Sequence, residues 1–407
     1  MRSRFDALTA LLRTHATLWR PRPFVALPVA WEAEHPDWAA HLDTLPEERV
    51  EGSHSAWLEG APADLRALAA TTRDLAHFEP WDQADFRLEV RAARGIPGRK
   101  QRQIEAFGGA VLAWAGTPGP AALVDWCAGK AHLGRALCRK TGGALRALEI
   151  DDTLTVAGQA LSDACGLRAR HLTVDVLSPA LEAVMLSPDA LAVALHACGD
   201  LHVRLLDTVA SRGLSQVALA PCCYNRMDLR AGREAAISQA GRAAAMALEP
   251  DDLDLLHQEP VVAPPAERAL LRRMLTRRLA FDLWQREVTG RDVYRSVRPF
   301  PDAWLALPFA SFCANVATLL ADRELETAAA RYPASPAFEA AGDLRRVAVA
   351  RRGLVRRLFA GPLEAWLVLD RALFLAERGY EARIGTFCAR EFTPRNALIL
   401  ARRLTQT

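Results

Sequence analysis

AALVDWCAGKAHLGRALCRKTGGALRALEID, residues 121–151, reads as strand, tight turn, helix and second strand. AALVDWC (121–127) is a short apolar run ending in an acid and a thiol. AGKAHLGRALCRKTG (128–142) opens a helix through small residues, and ALRALEID (144–151) is apolar again and closes on acids. The alternation continues with a helix at TLTVAGQALSDACG (153–166) and strands at HLTVDVL (171–177) and LAVALHACGD (191–200). A helix at LHVRLLDTVASRG (201–213) and a strand at QVALAPCCY (216–224) follow. Short apolar strands alternating with helices predict a parallel, doubly wound α/β sheet covered on both faces. Near the C-terminus, a helix at LEAWLVLDRALFLAERG (363–379) leads to YEARIGTFC (380–388) and NALILAR (396–402). These two runs are expected to form a hairpin that returns to the same sheet.

Outward from this core, residues 1–95 read as an N-terminal helical region. ADLRALAATTRDLAHF (63–78) has a 3.6-residue apolar period, and five of the ten Trp (Trp19, Trp31, Trp38, Trp57, Trp81) fit a small aromatic core. A Gly/Pro break, RGIPGRK (94–100), precedes the α/β part. The expected division is 1–95, a discontinuous domain of 96–228 plus 361–407, and an Arg-rich helical insertion at 229–360. With 407 residues, 51% apolar and 24% charged, the chain is an ordinary globular protein. No apolar run reaches the roughly 18 residues of a membrane helix. Arg13 interrupts the N-terminal apolar stretch, so no secretory leader is expected. Eight cysteines, two of them adjacent, suit reduced thiols in the cytoplasm rather than a disulfide scaffold. Of 51 basic residues only three are Lys: Lys100, Lys130 and Lys140.

In open α/β sheets ligands bind beyond the carboxyl ends of the strands. Those ends carry Asp125 with the turn Cys127-Ala-Gly129-Lys130-Ala-His132-Leu133, then Glu149, then Asp175-Val176, then His196, Cys198 and Asp200, and last Cys222, Cys223 and Tyr224. Glu149 lies twenty residues after Gly129. A small turn after strand one and an acid ending strand two suit a nucleoside, whose ribose hydroxyls the acid accepts. The dinucleotide pattern G-x-G-x-x-G is missing, which points from a pyrophosphate toward a nucleoside without phosphates, such as S-adenosyl-L-methionine.

VDWCAGKAHLGR, ALEID, ALHACGDL, APCCYN and FTPRN, with GRKQRQIEAF (98–107) before them, together resemble the class I methyltransferases of the methyltransferase-domain-32 type. The resemblance covers about 96–228 and 363–402. It implies a Rossmann-like seven-stranded sheet, with the insertion between strands five and six, and S-adenosyl-L-methionine as cofactor. It implies further that Asp125 and Gly129 shape the methionine end, that Glu149 binds the ribose and that Asp175 lies near the adenine amino group. Cys127, Lys130, His132, Leu133 and Val176 complete the expected cofactor set. His196, Cys198, Asp200, Cys222, Cys223 and Tyr224 would line the acceptor side. Two of the family's three turn glycines are replaced, by Cys127 and Ala131, and Asn225 stands where the family usually has His.

Several roles stay open at this level. Lys130 holds the cofactor carboxylate or is solvated. His196 is a general base or a satisfied half-buried histidine, and Asp200 is a base or a helix cap. The thiols pack near the adenosine, act as a nucleophile pair, or gather a soft metal with His196. No Pro precedes Cys198, which weakens the nucleophile reading, and no metal is assigned. His196, Asp200, Cys222, Cys223 and Tyr224 are the candidate catalytic residues. Residues 267–298 hold nine Arg and residues 343–357 six, which suits either a phosphate backbone or a solvated face. The expected activity is methyl transfer to a heteroatom acceptor, with RNA first. A protein side chain, or a non-catalytic cofactor-sensing or RNA-binding role, is the alternative.

Overall fold

The structure, a computed structural model, describes residues 1–51, 55–89, 93, 95–116, 119–257 and 265–404. Seven strands form one sheet: β1 (Ala122–Trp126), β2 (Ala144–Glu149), β3 (Ala169–Thr173), β4 (Leu191–Cys198), β5 (Gln216–Cys222), β6 (Tyr380–Thr386) and β7 (Ala397–Arg403). Their order is β3-β2-β1-β4-β5-β7-β6, with β1–β5 parallel and β7 antiparallel to both neighbours. This is the expected Rossmann-like α/β sheet, completed by the expected hairpin.

The inner strands form where the chain is apolar, while β3 and β6, at the two edges, carry exposed residues. Leu123, Leu145, Leu191, Val193, Ala218, Leu398 and Leu400 share one buried cluster with Ile104, Phe107 and Val111 of the helix Gly98–Ala115. Asp151 caps the helix Asp152–Asp163 by accepting the Thr153 and Leu154 N–H groups. β3 is shorter than expected, ending at Thr173. Asp175 lies two residues beyond it, in a turn where its carboxylate accepts the Leu177 N–H at 2.9 Å.

The chain divides into two compact units whose bounds differ from the three-part division expected. Residues 1–13, 72–259 and 360–407 form the sheet unit, and residues 14–71 and 260–359 form the other. Long-range contacts account for the difference. Phe5 stacks on Trp366 at 5.1 Å, and Trp81 and Thr386 join residues 79–81 to the edge of β6. Asp370 accepts the Ile237 and Ser238 N–H groups, which ties residues after 228 to the sheet unit.

In the second unit the helix Pro265–Thr289 packs on Ala337–Arg357, and Phe281, Trp284, Phe309, Phe312 and Val316 form its core. Trp19, Trp31, Trp38 and Trp57 are buried there, as an aromatic core requires. Among the described residues no helix is long and apolar enough to cross a membrane. Residue 94 of the Gly/Pro break lies outside the described residues.

Candidate active site

The loop after β1 makes three left-handed steps, at Cys127 (φ 55°), Gly129 (φ 56°) and Ala131 (φ 51°). Side chains other than glycine resist this conformation by about 1–2 kcal/mol each. The turn is held nonetheless, because the Ala128 N–H donates to the Leu148 carbonyl at 2.9 Å and the Ala131 N–H to the Ala128 carbonyl at 2.8 Å. Glu149, at the end of β2, faces this loop. Its Oε2 accepts the Gly129 N–H at 2.7 Å, and its Oε1 accepts those of Ile150 and Asp151 at 3.0 and 3.2 Å. The carboxylate is thus fixed at the strand edge with one lone pair, on Oε2, to spare.

Asp125 is buried at the end of β1 and accepts the Gly134 N–H at 2.9 Å. Burial pushes its carboxyl up to about 7, against the pull of that hydrogen bond. The Cys127 thiol is pushed up to about 12, by burial and then by the Glu149 and Asp125 charges, so it stays protonated. His132, beside Arg135 at 2.8 Å, is pushed down to about 4 by burial and then by the charges of Arg135, Lys100 and Lys130. Leu133 and Val176 are buried apolar walls, Asp175 is half-buried, and Lys130 is exposed.

On the acceptor side, His196 interrupts β4 as a bulge with φ 66°, and the β4–β5 register shifts between Leu195 and Ala197. Its Nε2 lies 3.0 Å from Gln103 Oε1. The Gln103 amide nitrogen donates to the Phe392 carbonyl at 2.6 Å, which leaves Oε1 as the acceptor toward His196. Nε2 therefore carries the proton and Nδ1 the lone pair. Burial lowers the His196 pKa, so the neutral form prevails at pH 7. Gln103 and Phe392 escaped sequence reading, although both lie inside quoted motifs.

Asp200 is the first residue of the helix Asp200–Arg212, and the cap position belongs to Gly199, whose lack of a side chain leaves no cap bond. Asp200 instead accepts the Asp228 N–H at 3.1 Å, with Arg233 at 3.6 Å, while its Oδ1 is buried without a partner. Gly199 is needed at this bend: its φ is 54°, and a Cβ would lie 2.5 Å from the Arg226 carbonyl carbon. Tyr224 turns into the core, edge-on to His202 at 5.5 Å and under Arg371 at 5.4 Å, and burial drives its phenol up. The sulfurs of Cys198, Cys222 and Cys223 converge within 4.8 Å of one another. Of the three, Cys223 is the thiol driven down, by hydrogen bonds from Cys198 and Cys222 and then by His257. A cavity of about 460 Å³ opens on the same sheet edge at the ends of β6 and β7, lined in part by Phe78, Trp81, Glu364 and Asn396. None of the expected site residues lines it.

The Arg-rich stretches are largely engaged inside the second unit. Arg352 pairs with Glu32 and Asp43, Arg346 with Glu47 and Asp343, and Arg345 with Asp282. Arg351, Arg356 and Arg357 donate to the carbonyls of Leu45, Trp19 and Val50. From 267–298, Arg272, Arg277, Arg286, Arg291 and Arg295 have acidic partners, Arg273 donates to the Leu305 carbonyl, and Arg278 lies over Phe300. Exposed cations remain in the second unit, at Arg268 and Arg298 among others, and occur also in the sheet unit, at Arg99, Lys100, Arg102, Lys130, Arg226 and Arg230.

No curated protein and no solved structure matches the chain. A family model described as a methyltransferase domain matches residues 99–230, from the helix before β1 to the loop after β5. With the strand order above, that match identifies residues 99–230 as a methyltransferase domain of the methyltransferase-domain-32 type.

Proposed function

We propose that the chain transfers the methyl group of S-adenosyl-L-methionine to a heteroatom acceptor in RNA. The observation that carries the reading is Glu149. It ends β2 with its carboxylate held by the Gly129 N–H at 2.7 Å, between Asp125 on β1 and Asp175 in the turn after β3. This donor and acceptor set fits a nucleoside carrying a cationic amino-acid tail. Glu149 would accept a ribose hydroxyl at its Oε2, Asp175 the adenine amino group, and Asp125 with the loop 127–131 would enclose the methionine end. The bound cofactor supplies an electrophilic methyl group on a sulfonium.

The remaining work falls to side chains of this chain. His196 is neutral near pH 7, and its Nδ1 would take the proton from the acceptor heteroatom as that atom attacks in line. Gln103 is a positioning residue, holding the imidazole in that tautomer. Asp200, tied to Asp228, shapes the neighbouring bend. Tyr224, buried, supports it from behind. The exposed cations of the sheet unit favour RNA over a protein side chain. Lys100 and Arg99 act electrostatically on His196, and Arg226 acts on Cys198.

Calorimetric titration with S-adenosyl-L-methionine and S-adenosylhomocysteine tests the cofactor site. Binding should weaken about tenfold or more in Glu149→Gln, the loss of one charge-assisted hydrogen bond. Folded protein that binds neither ligand would overturn the reading. Labelled-methyl transfer into RNA and protein fractions, wild type against His196→Ala, then identifies the acceptor. It also separates an enzyme from a non-catalytic binder.

A further inference from the structure

We propose that Cys198, Cys222 and Cys223 form a zinc site at the carboxyl ends of β4 and β5, closed to a tetrahedron by His257 when the ion binds. Cys198 and Cys222 are register partners on neighbouring parallel strands, and their sulfurs lie 3.6 Å apart. Both thiols are free. A zinc ion with Zn–S bonds of about 2.3 Å in tetrahedral geometry sets its sulfurs about 3.8 Å apart, so the observed spacing is that of two ligands of one ion. It is too long for a disulfide, at about 2.05 Å.

Adjacent residues in a strand point to opposite faces, which would carry Cys223 away from Cys222. The backbone prevents this. Cys223 takes a left-handed conformation (φ 47°), and its sulfur comes within 4.8 Å of the other two. A side chain held there is strained, and a shared ion would offset that strain. The Gly199 N–H donates to the Cys222 carbonyl at 3.1 Å and locks the two strand ends together. His257 ends the short helical segment Asp254–His257 and acts electrostatically on the Cys223 thiol; its ring lies outside the group of three sulfurs that converge within 4.8 Å, so it turns inward to ligate. His196 is a poorer fourth ligand, because its ring is held at Nε2 by Gln103 and in that position joins none of the three converging sulfurs. Three thiolates and one imidazole are a soft donor set that selects zinc and leaves no coordination position open, so the ion would pin β4, β5 and residues 254–257 rather than react. Binding displaces the remaining thiol protons to solvent.

The proposal is independent of the methyl-transfer reading, since its readout is metal content. Full-length protein, purified under reducing conditions, should carry one zinc per chain by elemental analysis. Cobalt(II) should replace it with the thiolate charge-transfer bands and intense d–d bands of a tetrahedral site. Cys223→Ser and His257→Ala should each weaken metal retention against a chelator by tenfold or more, whereas His196→Ala should not. Should either variant fail to fold, the wild-type cobalt spectrum still decides. Reduced, folded protein that takes up no zinc or cobalt, a spectrum without thiolate bands, or an iron–sulfur chromophore would each overturn the site. So would an intact mass two hydrogens short, from a Cys198–Cys222 disulfide that withstands reduction. Retention unchanged in His257→Ala would remove that ligand and with it the closed site.

Discussion

His196 has an imidazole whose proton is assigned by a residue 93 positions away. If Nδ1 is the base, transfer should rise with pH along a limb centred below 6.5 and then level off, because burial depresses the pKa of the ring. His196→Ala should lower turnover by about 10²–10⁴ with cofactor affinity retained. Gln103→Glu should move the acid limb to higher pH, since a carboxylate beside Nε2 stabilises the imidazolium. Asp125 carries a second pH signature. Its pKa rises from 3.8 to about 7 on folding, so its stabilising contribution is complete below the lower value and is lost as pH climbs through the higher. Asp125→Asn does not titrate. In melts of the cofactor-free protein its stability relative to wild type should therefore increase between those two pH values and then level. At this scale the sequence reveals residue types and spacing, which is how Glu149, Gly129 and Asp125 could be found from strand ends alone. It hides backbone conformation. The left-handed steps at Cys127 and Ala131 and the bulge at His196 leave no mark in composition, because the surrounding hydrogen bonds and not the residue type impose them.

The helix Ala360–Ala376 shows what an element conceals. Its apolar run identifies it at once, yet Asp370 and Arg371 within it are wholly buried and paired at 3.0 Å. Asp370 accepts the N–H groups of Ile237 and Ser238 and the Ser238 hydroxyl, while Arg371 donates to the Ala235 carbonyl and to His202. The pair thus holds residues 235–241 against the sheet unit, which is why these residues do not join the second unit as the sequence division expected. Arg371→Met should destabilise the protein by about 3–5 kcal/mol in denaturant titrations, because Asp370 is left charged and buried. Gly241→Ala should disrupt the same contact, since its Cβ would come 2.0 Å from Asp370 Oδ1. Other elements were fully legible: the alternating strands and the terminal hairpin follow from apolar runs bounded by turn residues. The pairing of residues 79–81 with β6 was not, because Pro80 argues against a strand and only the tertiary edge makes one.

For the whole molecule, the distribution of charge decides where a polyanion can bind. Arginine is abundant in both units, and abundance alone made the segments 267–298 and 343–357 look like an RNA surface. In the folded chain all six arginines of 343–357 hold acidic side chains or backbone carbonyls of their own unit. An arginine with two carboxylates already beside it has little field left for a phosphate. Arg352→Ala should therefore lower Tm, by leaving Glu32 and Asp43 facing each other, and leave RNA affinity unchanged. Lys100, Arg102 and Lys130 are exposed in the sheet unit, and Lys100 and Lys130 both act electrostatically on His132. Replacing all three with Ala should weaken RNA binding and flatten its salt dependence. Each phosphate contact with a single strand contributes a slope of about −0.7 in log affinity against log salt, so losing three contacts removes about 2 from the slope. Fluorescence anisotropy with a labelled single strand, repeated over a range of salt, measures both quantities. A triple variant with the wild-type slope would place the RNA contacts elsewhere. An Arg352→Ala protein that stays folded but loses RNA would return them to the Arg-rich helices.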